Sequence, residues 1–220
     1  MKRITLEELK HDPMVEAYIE GGNRHLGAIG YTEHGLRHVS LVSHIAANIL
    51  EKLGHAGRDC ELAAIAGYLH DIGNAVNRFN HAQTGALLAA SILERHGMAA
   101  EEIVLVIGAI GNHDEGDGNP VNNISAALIL ADKSDVHRTR VRNQELATFD
   151  IHDRVNYAVE HSFLNVYSHE RIGLELTINT EICPVMDYFE IFLARMLLCR
   201  KAAEFLGVRF ELLVNGVKLL

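Results

Sequence analysis

The sequence predicts a mainly α-helical body followed by a small β-sheet appendage that carries one long helix. Three observations carry that expectation. Apolar residues recur at three-to-four spacing through most of the first 160 positions. Proline (3) and tryptophan (0) are scarce, which favours long helices over a turn-rich all-β fold. After residue 160 the pattern changes to strand-like alternation. With 220 residues, 48% of them hydrophobic, the chain suits one core, which can grow to roughly 250 residues before chains tend to split. We divide it into a helical body, 1–160, and an α/β appendage, 161–220, packed on the same domain.

The elements follow in order. Thr5-Leu6-Glu7-Glu8 is a capping box and predicts a first helix over 6–20. Gly21, Gly22, Gly27 and Gly30 read as a connector. Leu36, Val39, Val42, Ile45, Ala46, Ile49 and Leu53 define the next helix, with Gly54 as its cap. From Asp59 to Asp71 the pattern is apolar all round, the mark of a buried central helix. Asn80 would cap a helix over 81–96 that Gly97 stops, and another covers 100–113. EGDGNPVNN is a loop, and helices over 124–140 and 151–160 complete the body. In the tail, Ser162–Tyr167 and Ile172–Thr180 alternate as strands around a turn at Ser168-His169-Glu170. Pro184 opens a long helix that Gly207 ends, Val208–Val214 is a third strand, and Asn215-Gly216 is a tight turn.

Composition excludes several classes. Net charge is −9, and Arg138, Arg140 and Arg142 are the single basic cluster, so an extended nucleic-acid partner is not expected. The longest apolar run, Leu62 to Leu69, has eight residues against the ~20 of a membrane span. The opening MKRITLEELKHD is charged and amphipathic, unlike a signal peptide. Three cysteines without CxxC spacing read as reduced, packed thiols. The expectation is a soluble, cytoplasmic protein.

Histidine is the unusual residue, at 14. His38 shares a helix face with Val42, Ile45 and Ile49, and so points toward the core. His70 and Asp71 end the wholly apolar helix, where an unpaired carboxylate needs a cation, donors or solvent. His81 begins one helix and His113 ends another, while Asp132 follows the apolar run Ala126 to Ala131. Each also has a plain reading: a hydrogen-bonded core histidine, a helix end turned to solvent, a first-turn residue. His11, His25, His55, His96, His137, His152, His161 and His169 read as surface residues, and His44 has no assigned place. Mixed histidine and aspartate suit Mn, Fe, Zn or Co better than Ca or Mg.

Taken in order, YTEHGLRHVSLV around His38, GYLHDIGN around His70-Asp71 and LILADKSD around Asp132 resemble the HD superfamily of metal-dependent phosphohydrolases. The resemblance covers about residues 31–140 and implies an HD-type helical bundle. It also implies that His38, His70, Asp71 and Asp132 hold one divalent transition metal (Fe, Mn, Co, Ni or Zn). Members with two metals add histidines after the HD box, and their HD aspartate bridges both ions. HAQTGALL from His81 and NHDEGDGNP around His113 look like those segments, with Asn112 standing where many members have a first histidine of a pair. Asp71, His81 and His113 would then hold a second ion; alternatively His81 and His113 contact substrate phosphate or a metal-bound water.

His34 lies four residues before His38, which would put both on one helix face. That spacing is similar to cyclic-nucleotide phosphodiesterases, where the earlier histidine is a proton donor; a solvent-exposed first-turn histidine is the other reading. Asn74 stands where many HD proteins have a lysine, leaving Arg78, Lys133 or Arg138 as phosphate contacts beside Asn74 and Asn112. The implied function is hydrolysis of a phosphomonoester or phosphodiester in a nucleotide or small phosphorylated metabolite. Asp71 and His34 would be the catalytic residues, and the loop Asp114 to Asn119 would border the pocket. The rival readings are a di-iron oxygenase on the same scaffold and a non-catalytic metal-binding regulatory module. An exposed strand edge in the appendage would favour a homodimer.

Overall fold

The computed structural model describes residues 3–143 and 145–220. The expected mainly helical body with its small sheet is what it shows. Helices α1 (Leu6–Lys10) and α2 (Pro13–Ala28) stand where one helix was expected. Asp12 breaks the run: its side chain accepts from Met14 N, and Pro13 takes the first helical position, where its missing N–H costs nothing. The glycine connector is also corrected, since Gly21, Gly22 and Gly27 all lie inside α2. Gly22 is there for close approach; a Cβ on it would come within 3.1 Å of Asn74 Cβ and Ala75 N.

Helices α3 (Leu36–Lys52) and α4 (Gly57–Leu69) form the centre, and a 3-10 turn at Ile72–Ala75 follows α4. Next come α5 (His81–His96), α6 (Ala100–Gly111), α7 (Asn123–Ser134) and α8 (Ile151–Ala158). Asn80 precedes α5 but makes no side-chain cap, because its backbone is left-handed (φ 56°). The helix expected to reach 113 stops at Gly111. The one expected to reach 140 stops at Ser134, where Asp135 leaves helical geometry (ψ 72°), and a 3-10 turn covers Arg138–Arg140.

The appendage starts earlier than the sequence suggests, with β1 at Val159–Ser168, followed by β2 (Arg171–Ile178), α9 (Val185–Phe205) and β3 (Arg209–Val214). Asn215 and Gly216 both have positive φ (51° and 78°), the turn geometry that returns the chain into a short fourth strand, β4 (Val217–Lys218), which alternation alone did not reveal. The sheet order is β1-β2-β3-β4. The outer pairs are antiparallel and β2–β3 is parallel, joined by the α9 crossover. Leu174 of β2 lies opposite Leu164 and Leu212, so the inner face of the sheet is apolar.

Body and appendage share one hydrophobic cluster, which runs from Leu9 and Leu62 through Leu128 to Leu174, Tyr188 and Phe192. Helix α4 sits in its middle, packed by α1, α3, α6 and α7, and α9 packs on α7. Among the described residues no helix is long and apolar enough to cross a membrane.

Candidate metal centre

The ends of five helices deliver the polar side chains into this core. His38 lies in the first turn of α3 and is fully buried. His70 caps α4 and Asp71 follows it. His81 opens α5, His113 follows the end of α6, and Asp132 lies in the last turn of α7. The glycine of HDIGN makes room for this: a Cβ on Gly73 would fall 2.0 Å from the His81 carbonyl oxygen, so only glycine lets α5 start against the 3-10 turn.

Three groups of side chains each converge with all ligand atoms within 4.8 Å: His38, His70 and Asp71; His70, His113 and Asp132; Asp71, His81 and His113. The Nε2 atoms of His38 and His70 are 3.3 Å apart, as are those of His81 and His113. Asp71 Oδ2 lies 3.6 Å and 3.4 Å from the first pair, and Asp132 Oδ1 lies 3.4 Å and 3.6 Å from it. The other Asp71 oxygen, Oδ1, is 3.5 Å from His81 Nε2. Ligands held at ~2.1 Å from one ion sit ~3.0–3.4 Å from each other in octahedral or tetrahedral arrangement.

Hydrogen bonds on the far side of the rings decide what these contacts are. His38 Nδ1 faces Asp135 Oδ2 at 2.7 Å, His70 Nδ1 the Gly67 carbonyl at 2.8 Å, and His113 Nδ1 the Ile110 carbonyl at 2.6 Å. Each Nδ1 therefore carries the proton, and in the neutral rings each Nε2 presents a lone pair. Two lone pairs 3.3 Å apart cannot bond each other and ask for a cation between them. On the second pair, Arg78 Nη1 already lies 3.1 Å from His81 Nε2. Asp71 Oδ2 is buried with no hydrogen-bond partner, so the donor set fits a divalent metal.

Electrostatics agree. Burial would raise Asp71, yet His70 beside it, whose own pKa Asp71 and Asp132 raise against burial, leads the groups that hold the Asp71 pKa well below the ordinary carboxylate range. Burial likewise opposes Asp132, and Lys133 with His38 and His70 keeps it ionised. Burial and the neighbouring Arg140 charge push His34 well below the usual histidine value, although Asp71 opposes them.

The structure brings His38, His70, Asp71, His81, His113 and Asp132 together, and sorts the remaining candidates. His34 is not on the α3 face, because α3 begins after Gly35; its ring centroid is nevertheless 5.3 Å from that of His38. Arg78 and Lys133 line the centre, and Lys133 Nζ bonds Asp132 Oδ2 at 2.7 Å. Asn74 is buried, does not line the centre, and donates to Asp71 Oδ1 at 2.9 Å, which orients the carboxylate. Asn112 bonds the Gly108 carbonyl at the end of α6 and does not line the centre. Arg138 turns away, pairing with Glu160 at 2.9 Å over the Tyr157 ring. Of the acidic loop, Asp114 lines the centre and Glu115 a neighbouring cavity, while Asp117 takes a bond from Gln83 and Asn119 one from Lys201. Among the histidines expected at the surface, His55, His96 and His137 are half-buried, and the last two bond Asp12 and the Glu160 carbonyl.

Sequence reasoning missed Asp135, Arg140 and Arg195. Asp135 lies three residues after Asp132, on the His38 side, and was visible in LADKSD. Arg140 alternates with Arg138 in a basic run that carries no signal of which residue points inward. Arg195 shares a buried helix face with Tyr188, Phe192 and Cys199, where a cation is out of place, and that was the available signal.

Residues 35–140 match the HD domain family. An uncharacterized protein of Methanocaldococcus jannaschii is 27% identical over 203 residues, covering 81% of this chain and 78% of its own. Ribonuclease Y of Bacillus subtilis is 30% identical over 122 residues, which are 54% of this chain and 21% of that enzyme. The chain thus spans about a fifth of that ribonuclease's length. The crystal structure of a predicted HD superfamily hydrolase from an uncultured Thermotogales bacterium superposes with a TM-score of 0.46 at 23% identity, covering 61% of this chain and 75% of that one. The HD box and the following aspartate, together with His38, His81 and His113, all lie inside the segment 35–140 that matches the HD domain, just under half of the chain.

Proposed function

We propose that the protein is a metal-dependent phosphohydrolase that cleaves a phosphomonoester or phosphodiester bond in a nucleotide or small phosphorylated metabolite. The observation that carries this reading is Asp71, whose two oxygens face two different histidine pairs from inside the core. His38, His70, Asp71 and Asp132 would hold one divalent transition metal (Fe, Mn, Co, Ni or Zn), and Asp71, His81 and His113 a second. Such an ion supplies, when bound, a water acidified from a pKa of about 16 to about 7 and a counter-charge for phosphoryl oxygens.

The protein's own residues do the rest. Asp135 orients His38 and Asn74 orients Asp71, so the donors are fixed before an ion or substrate arrives. Lys133, bonded to Asp132 and paired with Glu115 at 2.7 Å, keeps that carboxylate ionised and aimed. Arg78 stands at the rim, within reach of a phosphoryl oxygen. His34, neutral in the free protein, is the proposed proton carrier for the leaving oxygen; an entering phosphoryl anion raises its proton affinity. The rest of the likeness to ribonuclease Y supports phosphoester chemistry in general, and the net charge of −9 disfavours an extended nucleic-acid substrate.

The test is release of phosphate or p-nitrophenol from a broad phosphoester panel after loading with Mn²⁺ or Fe²⁺. Turnover that tracks bound metal supports the reading. No turnover on any phosphoester with the metal site full would overturn it.

A further inference from the structure

Beside the metal centre lies a cavity of about 350 Å³. One wall is the segment 29–34. The opposite wall comes from Asp150, His152 and Asn156 around α8 and from Phe192 and Arg195 of α9, all outside the matched HD segment 35–140. Four residues line both the cavity and the metal centre: His34, Arg78, Arg140 and Arg195. The junction between the two is therefore ringed by three guanidinium groups.

Arg140 is the telling member. Its side chain is 4% exposed, its Nε donates to the Glu33 carbonyl at 3.1 Å, and its Nη1 donates to the Asp135 carbonyl at 2.6 Å. Its Nη2 is buried with no hydrogen-bond partner. A buried charged donor left unpaired is costly, so an acceptor belongs at that point. Arg195 is held opposite by Glu115, which accepts from Nε at 2.8 Å, and by the Phe192 ring beneath it at 4.4 Å. Both anchors leave the forked end of the guanidinium toward the shared space.

We propose that Arg78, Arg140 and Arg195 form a clamp for the terminal phosphate of a small phosphomonoester, whose organic part occupies the cavity. The assignment rests on the phosphohydrolase reading and narrows it. A terminal phosphate carries nearly two negative charges and three acceptor oxygens at neutral pH, matching three planar cationic forks. An internal diester carries one charge and two free oxygens, and its chain must leave in two directions. The volume lies in the small-molecule range of ~300–1,000 Å³. Asp150 and Asn156 offer acceptors in the cavity wall, which suits an organic group with hydroxyl or amino donors.

The test uses the metal-loaded full chain and its Arg195→Met and Arg195→Lys variants, with metal content and melting curves measured on each. Inorganic phosphate is titrated calorimetrically, and kcat/KM is compared on p-nitrophenyl phosphate and bis-p-nitrophenyl phosphate. Phosphate affinity should fall about tenfold in Arg195→Met, a change of ~1.4 kcal/mol, and recover in part in Arg195→Lys. Wild type should prefer the monoester, and Arg195→Met should lose that preference. Arg195→Lys keeps the charge and so keeps the fold if Arg195→Met does not, and its phosphate affinity then decides alone. Unchanged phosphate affinity at unchanged metal content, or a wild-type preference for the diester, overturns the clamp. If phosphate binds through Arg195 but neither ester is hydrolysed, the clamp stands and the phosphohydrolase reading fails.

Discussion

Replacing Asp71 by alanine separates the contribution of the metal from that of the fold. Asp71 belongs to two of the three ligand groups, one oxygen toward His38 and His70 and the other toward His81. In chelator its Oδ2 is buried without a hydrogen-bond partner, which costs stability, while the imidazoles around it favour its ionised form, which returns stability. The two effects oppose, so the variant should melt close to the wild-type temperature in chelator. With metal the two proteins separate. An ion bound only by the folded chain adds ~2.7 kcal/mol at a hundred times its Kd. At ~2–4 °C per kcal/mol for a chain of this size, wild type should gain ~5–11 °C on metal addition. Asp71→Ala should gain almost nothing, and its bound metal, counted by mass spectrometry, should fall to background. The assay is a thermal melt in chelator and in excess Mn²⁺. An equal metal-induced gain and equal stoichiometry in the variant would refute the argument from Asp71 altogether.

A ligand and a proton carrier should fail differently: His38→Ala should lose metal and activity together, whereas His34→Gln should keep its metal and lose ~10²–10⁴-fold in turnover, less on p-nitrophenyl esters. Metal loss in His34→Gln would place that ring in the coordination shell. Asp135→Asn leaves every proposed ligand in place but weakens the hold on His38, so metal affinity should drop ~10–100-fold, read by competition with a chromogenic chelator. Away from the centre, burial would raise Asp12, but bonds from His96, Met14 N and Arg95 bring its pKa to about 2. A folded-state value below the ordinary 3.8 means its stabilisation is complete above pH ~4 and disappears as pH falls through ~2. Asp12→Asn, which retains the cap, should thus be less stable than wild type at pH 6 by urea titration and nearly equal to it at pH 2.

Helix α4 was legible because periodicity and burial agree: every residue from Leu62 to Leu69 is buried, and apolar-all-round sequence has no other stable setting. The HD box, Asp132 and the two later histidines were legible for a related reason, since ionisable groups adjoining apolar runs stand out. Boundaries were less so. The sequence-level reading ran one helix through Asp12-Pro13, although proline at a first turn is a start signal. It placed glycines in a connector because a sequence does not show that Gly22 faces another backbone. Arg195 left one trace, a cation on an otherwise apolar helix face, whereas Arg140 left none. The partners of both lie far off in sequence, 80 positions away at Glu115 for Arg195 and 107 at Glu33 for Arg140, and no local pattern encodes such pairings.

The placement of the two carboxylates also explains why this core should depend on a cation. Asp71 follows the C-terminus of α4, and Asp132 lies in the last turn of α7. Helix C-termini carry roughly half a negative charge, which disfavours an acidic group there by ~0.3–1 kcal/mol each when exposed, with less screening in the interior. Helix α6 ends at the same place, just before His113. Three C-termini and two carboxylates therefore meet at one largely buried centre beside α4. Only His38 and His81, at the starts of α3 and α5, come from the positive ends of their helices. A chain under selection for stability alone would not assemble that field at its centre. Lys133 on Asp132 and the imidazoles beside Asp71 offset part of that field, and the proposed metal, with the guanidinium groups at the rim, supplies the rest of the positive charge.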